Sequence, residues 1–247
     1  MTRAHGVGLR SWLAWWRLRR KYHRYRVTGM ENLARERAQL IVGYHGRPIA
    51  YDLCILTVNI YEELGYLPHG IVHAAIRNLP GGSRLVDQLG FVTGDDGSIQ
   101  EVVNRGEHLV VTPGGTREAT RSVRHRYRVD WGERHGYLRL ARRYGLEIVP
   151  VGSAGVDDGY IGLNNGYRWG KRARMPSRLP LWVGIGLGGV WPVAPPLPVR
   201  FSQVIGAPLD VSSSPFGDEE QDLHFHHQRV TRAVQQTLDV ARRGHRQ

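Results

Sequence analysis

A histidine with an aspartate a short way downstream is the pairing that general-base chemistry uses, and the chain carries one in Tyr44-His45-Gly46-Arg47-Pro48-Ile49-Ala50-Tyr51-Asp52. A carboxylate that holds one imidazole nitrogen fixes the tautomer and leaves the other nitrogen free to take a proton. With Pro48 opening a helix, Asp52 falls in the second turn; helical side chains tilt toward the N-terminus, so its carboxylate can point back at the His45 ring. The same residues allow a plainer arrangement, in which His45 caps the helix and Asp52 bonds a local amide. A second segment, Val110-Val111-Thr112-Pro113-Gly114-Gly115-Thr116-Arg117-Glu118-Ala119, sets paired glycines after an apolar run. The N–H groups of Gly114 and Gly115, with the forked guanidinium of Arg117, suit a phosphate or carboxylate. A strand-to-helix turn with a solvated arginine accounts for those residues equally well.

Other catalytic patterns are absent. The sequence has no nucleophile-elbow serine, no phosphate-binding loop ending in lysine and a hydroxyl residue, and no helical zinc motif of two histidines and a glutamate. His69 and His73 lie four apart in a stretch that reads as strand, where a shared face needs even spacing, and a third ligand is missing. His224, His226 and His227 fall on a polar C-terminal helix and are expected in solvent. Cys54 is expected to be a buried, inert thiol. As the one cysteine, it excludes an intramolecular disulfide framework and any multi-cysteine metal site.

The elements that position these residues alternate between strand and helix. Strands are expected at Gln39–Tyr44, Gly70–Ile76, Gly90–Thr93, His108–Thr112 and Glu147–Val151. Helices are expected at Pro48–Leu64, Ser83–Leu89, Ser98–Arg105, Gly136–Tyr144 and Asp218–Arg243. This alternation predicts one α/β domain over residues 27–247, with a mixed, largely parallel central sheet flanked by helices. His45 and the Pro113-Gly114-Gly115 turn then both lie just beyond strands, where open sheets of this class bind ligands. Residues 179–199 carry no charge, but five prolines forbid an uninterrupted helix, so an irregular apolar segment is expected, either packed or facing lipid. Within it, Gly184, Gly186 and Gly189 have the spacing of a dinucleotide fingerprint without the helix that must follow.

Composition bounds the partners. Of 247 residues, 41% are hydrophobic and 23% charged, the balance of a globular chain rather than a disordered one. The 34 basic residues against 22 acidic ones give +12, which favours polyanionic surfaces without choosing among nucleic acid, anionic lipid and phosphorylated substrate. The basic excess is concentrated in residues 1–26, where no acidic residue occurs. There Leu9, Trp12, Leu13 and Trp16 share one helical face beside arginines, the pattern of an amphipathic helix lying in a lipid interface. Packing of those tryptophans on the body of the protein is the other outcome. No signal peptide is legible, so the expected location is the cytoplasmic face of a membrane, held peripherally.

Together these motifs resemble the phospholipid/glycerol acyltransferase superfamily, the lysophosphatidate acyltransferase fold, nearest the diacylglycerol-acyltransferase-like branch with a proline-glycine-glycine block. The resemblance runs from Tyr25 to Leu209. It includes Val27-Thr28-Gly29-Met30-Glu31-Asn32-Leu33, the strand into His45, Leu89-Gly90-Phe91-Val92 with Gly94-Asp95, Asn104-Arg105-Gly106-Glu107, Pro113 to Glu118, and Gly136 to Ala141 leading into Ile148-Val149-Pro150-Val151. It implies a fatty acyl transfer from an acyl-CoA or acyl-ACP thioester to a lipid hydroxyl. His45 would be the general base, Asp52 its orienting partner, and Gly114, Gly115, Thr116, Arg117 and Glu118 would bind substrate. It implies no metal or redox cofactor, an anionic membrane surface as partner, and no nucleic acid.

Three features depart from the family pattern. Six residues rather than four separate His45 from Asp52. The usual glutamate-glycine-threonine-arginine-serine block reads Gly114-Gly115-Thr116-Arg117-Glu118. The second-motif arginine has no counterpart near Gly94-Asp95. The last two admit a neutral acceptor, and the first leaves room for a lipid-binding or scaffold protein of this fold without the reaction. A basic nucleic-acid-binding protein is the remaining alternative; it rests on charge alone, with no recognition signature.

Overall fold

The computed structural model describes residues 3–72, 82–93, 97–173 and 181–245. Seven strands form one sheet: β1 (Arg26–Thr28), β2 (Leu40–Gly43), β3 (His69–Val72), β4 (Val92–Thr93), β5 (Leu109–Val111), β6 (Ile148–Ala154) and β10 (Ser202–Ile205). Their order is β1-β10-β6-β2-β5-β3-β4, and every neighbouring pair is parallel except β10 with β6. The mixed, largely parallel sheet expected from the strand–helix alternation is therefore present. β2 is buried at all four residues, as a parallel strand covered on both faces must be.

Alternation along the strands divides the core. Ile41, Val110, Val149 and Val151 point to the face covered by Leu53, Leu56 and Ile60 of α2 (Tyr51–Leu64). Leu40, Val42, Leu109 and Ile148 point to the opposite face, which shares its core with Leu223, Val230, Val234 and Leu238 of α8 (Glu219–His245). α3 (Gly82–Leu89), α4 (Ser98–Asn104), α5 (Gly115–Ala119) and α6 (Gly136–Tyr144) connect the strands. α6 keeps the expected bounds, and α8 lies within a residue or two of them. The expected strand Gly70–Ile76 forms from His69 to Val72, and its last four residues, with His73, lie outside the described residues, as do Gly94 and Asp95.

Two expectations are corrected. α2 begins at Tyr51, not Pro48, because residues 47–49 form a turn and Ala50 enters the helix in the left-handed region at φ 42°. Asp52 is consequently in the first turn. His226 and His227 are not solvated: α8 lays them inward, His226 Nε2 donating to Ser213 O (2.9 Å) and His227 Nδ1 bonding the Tyr137 hydroxyl (3.2 Å). The His69 ring bonds Gly90 O through Nδ1 (2.6 Å) and Glu107 Oε2 through Nε2 (2.8 Å).

The N-terminal helix α1 (Gly6–Tyr22) takes the packed outcome. Leu13 and Trp16 join the core, and Trp12 Nε1 donates to Thr57 Oγ1 of α2 (3.0 Å). Arg17 and Arg20 are answered by Glu62 at 2.9 and 2.6 Å. Of its large hydrophobic residues, α1 leaves Val7, Trp15 and Leu18 exposed. The uncharged stretch supplies β8 (Gly184–Gly186) and β9 (Gly189–Val190), which with β7 (Ile161–Gly162) form a second, small antiparallel sheet beside α7 (Gly166–Arg172). Gly184, Gly186 and Gly189 thus belong to a hairpin, not to a nucleotide-binding turn. Among the described residues, no helix is long and apolar enough to cross a membrane.

Candidate active site

The parallel strands β5, β2 and β6 lie side by side, and the loops from their carboxyl ends converge. The β2 loop carries His45, the β5 loop leads into α5 with Glu118, and the β6 loop carries Asp157. His45 is held by its backbone from both sides. Its N–H donates to Glu118 Oε2 (3.0 Å), and its carbonyl accepts from Arg121 Nη2 (2.5 Å).

The ring is set by a third contact, between Nδ1 and the Gly46 carbonyl at 2.8 Å. A carbonyl oxygen only accepts, so Nδ1 carries the proton and Nε2 of the neutral ring keeps its lone pair. Burial pushes the His45 pKa down, opposed by the Gly46 carbonyl and by the negative charge of Asp157. The outcome is a neutral imidazole of fixed tautomer at neutral pH, with a free basic nitrogen.

Asp52 does not make the contact expected of it. Its carboxylate is buried, and neither oxygen has a hydrogen-bond partner among the described residues. It stands behind Gly46: a Cβ at that glycine would come within 3.0 Å of Asp52 Oδ1 and 2.2 Å of Val156 Cγ2, so only hydrogen fits there. Burial pushes its pKa up to about 7, with the nearby Ser153 hydroxyl countering weakly. A group that titrates above the imidazole is protonated while His45 titrates and lends it no charge.

The charge that reaches His45 comes instead from Asp157, which sequence reasoning missed. Asp157 is fully buried and takes Arg121 Nη1 at 3.1 and 2.9 Å, the Tyr127 N–H at 2.9 Å, the Tyr44 hydroxyl, and Arg47 Nε at 3.5 Å. Arg121 stacks its guanidinium 4.0 Å over the Tyr44 ring. Two buried guanidiniums thus pair with this one carboxylate beside the histidine. The legible signal was Asp157-Asp158 at the end of the β6 apolar run, the same strand-end position that picked out His45.

The proline-glycine-glycine block is built differently from the expected anion cradle. Gly115 N–H is spent on Thr112 O (3.0 Å), while Arg134 Nη1 covers the carbonyls of Pro113 and Gly114 (2.8 Å each). Glu118 faces inward, where it also accepts from Asp130 N (2.9 Å) and Trp131 Nε1 (3.2 Å), and burial lifts its pKa to about 8. Gly114 is required because a Cβ would lie 2.1 Å from that carboxylate. Thr116 is exposed. Arg117 pairs with Asp130 through Nε and Nη2, both at 2.8 Å, at the rim of a basic cleft of about 520 Å³ that Arg121, Arg128, Arg168 and Lys171 also line. Outside these loops, Glu133, His135 and His224 bring their ligating atoms within 4.8 Å of one another between the start of α6 and α8.

Comparison with known proteins bears on this arrangement. The pattern of the family described as Acyltransferase matches residues 24–154. The chain is 29% identical over 150 residues to a bovine (Bos taurus) protein named "DGAT1/2-independent enzyme synthesizing storage lipids", covering 60% of this chain and 44% of that one. It is 29% identical over 139 residues to "Phytyl ester synthase 2, chloroplastic" of Arabidopsis thaliana, covering 53% of this chain and 20% of that one. The chain thus spans less than half the length of these relatives. In fold it is similar to the 1-acyl-sn-glycerophosphate (LPA) acyltransferase PlsC of Thermotoga maritima, with a TM-score of 0.55 at 19% identity, over 92% of this chain and 78% of that one.

Proposed function

Since the chain belongs to the acyltransferase family, we propose that it moves a fatty acyl group from a thioester, acyl-CoA or acyl-ACP, to a hydroxyl of a lipid alcohol. The observation that carries this reading is the tautomer of His45: its Nδ1 proton is engaged by Gly46 O, and Nε2 is free to act as base. Nε2 takes the acceptor's hydroxyl proton as that oxygen attacks the thioester carbonyl. The tetrahedral intermediate collapses, the thiolate leaves, and it recovers the proton from the imidazolium. A thioester is already activated, so no acyl-enzyme is required.

Asp157 provides a fixed negative charge for the imidazolium. Asp52 is the second partner: above about pH 7, where its carboxyl is ionised, it adds negative charge behind Gly46 as the ring takes the hydroxyl proton. Glu118 and Arg121 position the histidine through its main chain. The basic cleft with Arg117 at its rim would hold the phosphates of the thioester carrier. The names of the two relatives, one for storage lipids and one for phytyl esters, favour a neutral acceptor such as monoacylglycerol, diacylglycerol or a long-chain alcohol. In this reading the protein works peripherally, on the cytoplasmic face of a membrane.

Labelled long-chain acyl-CoA, and then acyl-ACP, offered with lysophosphatidate, monoacylglycerol, diacylglycerol and a fatty alcohol tests the proposal. Transfer to a neutral acceptor that disappears in His45→Ala is the expected result. Wild-type rates in that variant end the mechanism. The absence of the His45–Asp52 hydrogen bond favours one second reading, a lipid-binding protein of this fold, and that reading predicts no transfer with any donor.

A further inference from the structure

The small sheet β7–β8–β9 reverses the usual pattern of a surface strand. Along residues 181–187, Trp182, Gly184 and Gly186 point inward, and Leu181, Val183, Ile185 and Leu187 point out into solvent. The glycines are needed on the inner side, because a Cβ at Gly184 would lie 2.4 Å from the Trp182 ring and one at Gly186 2.8 Å from the Tyr160 ring. A sheet with one face on the core and one in water carries polar residues outside; this one carries aliphatic residues. Ile161 and Leu163 extend the outer face from β7, and Val190 and Val193 from β9, with exposures running up to 91% at Val193. Contiguous apolar surface of this kind marks an interaction site.

Charge selects the partner. Residues 159–209 contain six arginines and lysines and no acidic residue. Beside the sheet, α7 exposes Trp169 together with Arg168, Lys171 and Arg172. Aliphatic side chains, a tryptophan and unopposed cations suit the boundary between lipid headgroups and acyl chains. We propose that this face, and not the tryptophan face of α1, is the surface by which the protein docks on an anionic lipid bilayer. The proposal rests on the reading above only in supposing that lipid is the acceptor's medium.

The sheet is also joined to the candidate site. Trp182 Nε1 donates to the Arg121 carbonyl (3.2 Å), and Arg121 holds the His45 carbonyl. Gly162 of β7 lies against Arg47, leaving 2.7 Å between a Cβ there and Nη1. A lipid alcohol reaching the docked face is therefore a short distance from the loop that carries the base.

The test is flotation of the whole chain with phosphatidylcholine vesicles, with and without phosphatidylglycerol. Val183→Asp, Leu187→Asp and Val193→Asp combined should weaken binding to both vesicles by about tenfold or more. Arg172→Glu should reduce only the increment due to phosphatidylglycerol. Val7→Asp with Leu18→Asp, on the outer side of α1, should bind as wild type. Brominated lipids should quench tryptophan emission of the native chain, and Trp169→Phe should lose part of that quenching.

Unchanged flotation of the triple variant overturns the proposal. So does loss of binding in the α1 pair, or a wild-type dimer that the triple variant dissociates. Acyl transfer to a short-chain soluble alcohol without vesicles separates the two readings. It should be unchanged in the triple variant, and its absence in a wild type that still docks through this face would count against the enzyme and not the surface.

Discussion

Two neighbouring parts of the site each bury a carboxyl group and treat it in opposite ways. Around Asp157, two guanidiniums, a tyrosine hydroxyl and a main-chain N–H satisfy the group. Around Asp52, no hydrogen bond closes on either oxygen among the described residues, and burial pushes the pKa up to about 7. Partners, not depth, decide whether a buried acid stays charged. The first is a brace, tied to charged and hydrogen-bonding partners. The second responds to pH, and it is the one that lies directly behind the residue bonded to the histidine ring.

The largest effect expected is on the group both serve. His45→Ala should lower acyl transfer by about 10²- to 10⁴-fold with an unchanged melting curve. Equal rates would remove the reason for comparing the two carboxyls at all. Asp157→Asn should destabilise the fold by about 3–5 kcal/mol, because it strands Arg47 and Arg121 in the interior. Thermal or urea unfolding checks this.

Asp52→Asn should act with the opposite sign. The folded pKa lies above the unfolded one, so the wild type loses stability as pH rises from about 4 toward 7, and the loss levels off there at about a few kcal/mol. Melting of the variant should therefore match the wild type in acid and exceed it above neutrality. Its rate should fall by about 10- to 100-fold, and the titration near pH 7 should leave the pH–rate profile. A profile unchanged by Asp52→Asn would assign the whole electrostatic role to Asp157.

Glu118→Gln sharpens the comparison from a third side. It puts an amide donor against one of three N–H groups, at a cost of about 1–3 kcal/mol in unfolding and a lower rate through displacement of His45. Among the charged-group variants, Arg117→Ala should cost least in stability, below about 1 kcal/mol for an exposed ion pair with Asp130. Its signature is a raised KM for the phosphate-bearing donor with kcat retained.

Elements that bury a periodic face were readable from the sequence, and α6 and α8 fell where periodicity put them. His45 was found because a strand ends just before it. The left-handed entry at Ala50 was not legible, since alanine carries no preference for that region, and with it went the register of Asp52. Leu9, Trp12, Leu13 and Trp16 read as lipid-facing because a helical stripe does not say whether protein or membrane covers it. β8 was hidden for a related reason: its inner positions are tryptophan and glycine and its outer ones aliphatic, so no polar alternation announces a strand. The inward turn of Glu118 depends on Asp130 and Trp131, contacts that only the tertiary structure supplies.

The outermost strand of the large sheet is the first in the chain, and its pairing has a consequence for synthesis. Arg26, Val27 and Thr28 find their partners at Ser202, Gln203 and Val204, and Tyr22 and His23 bond Pro196 O and Val199 O. A chain emerging from the ribosome can assemble β2 through β5, with α1 seated on α2, while residues 22–28 still lack these partners. Those residues wait until β6 and then β10 have been made, so β1, an early strand in the sequence, is among the last parts to lock. Once docked, a three-residue strand covers the open edge of β10, which would otherwise offer its unpaired backbone to a neighbouring chain.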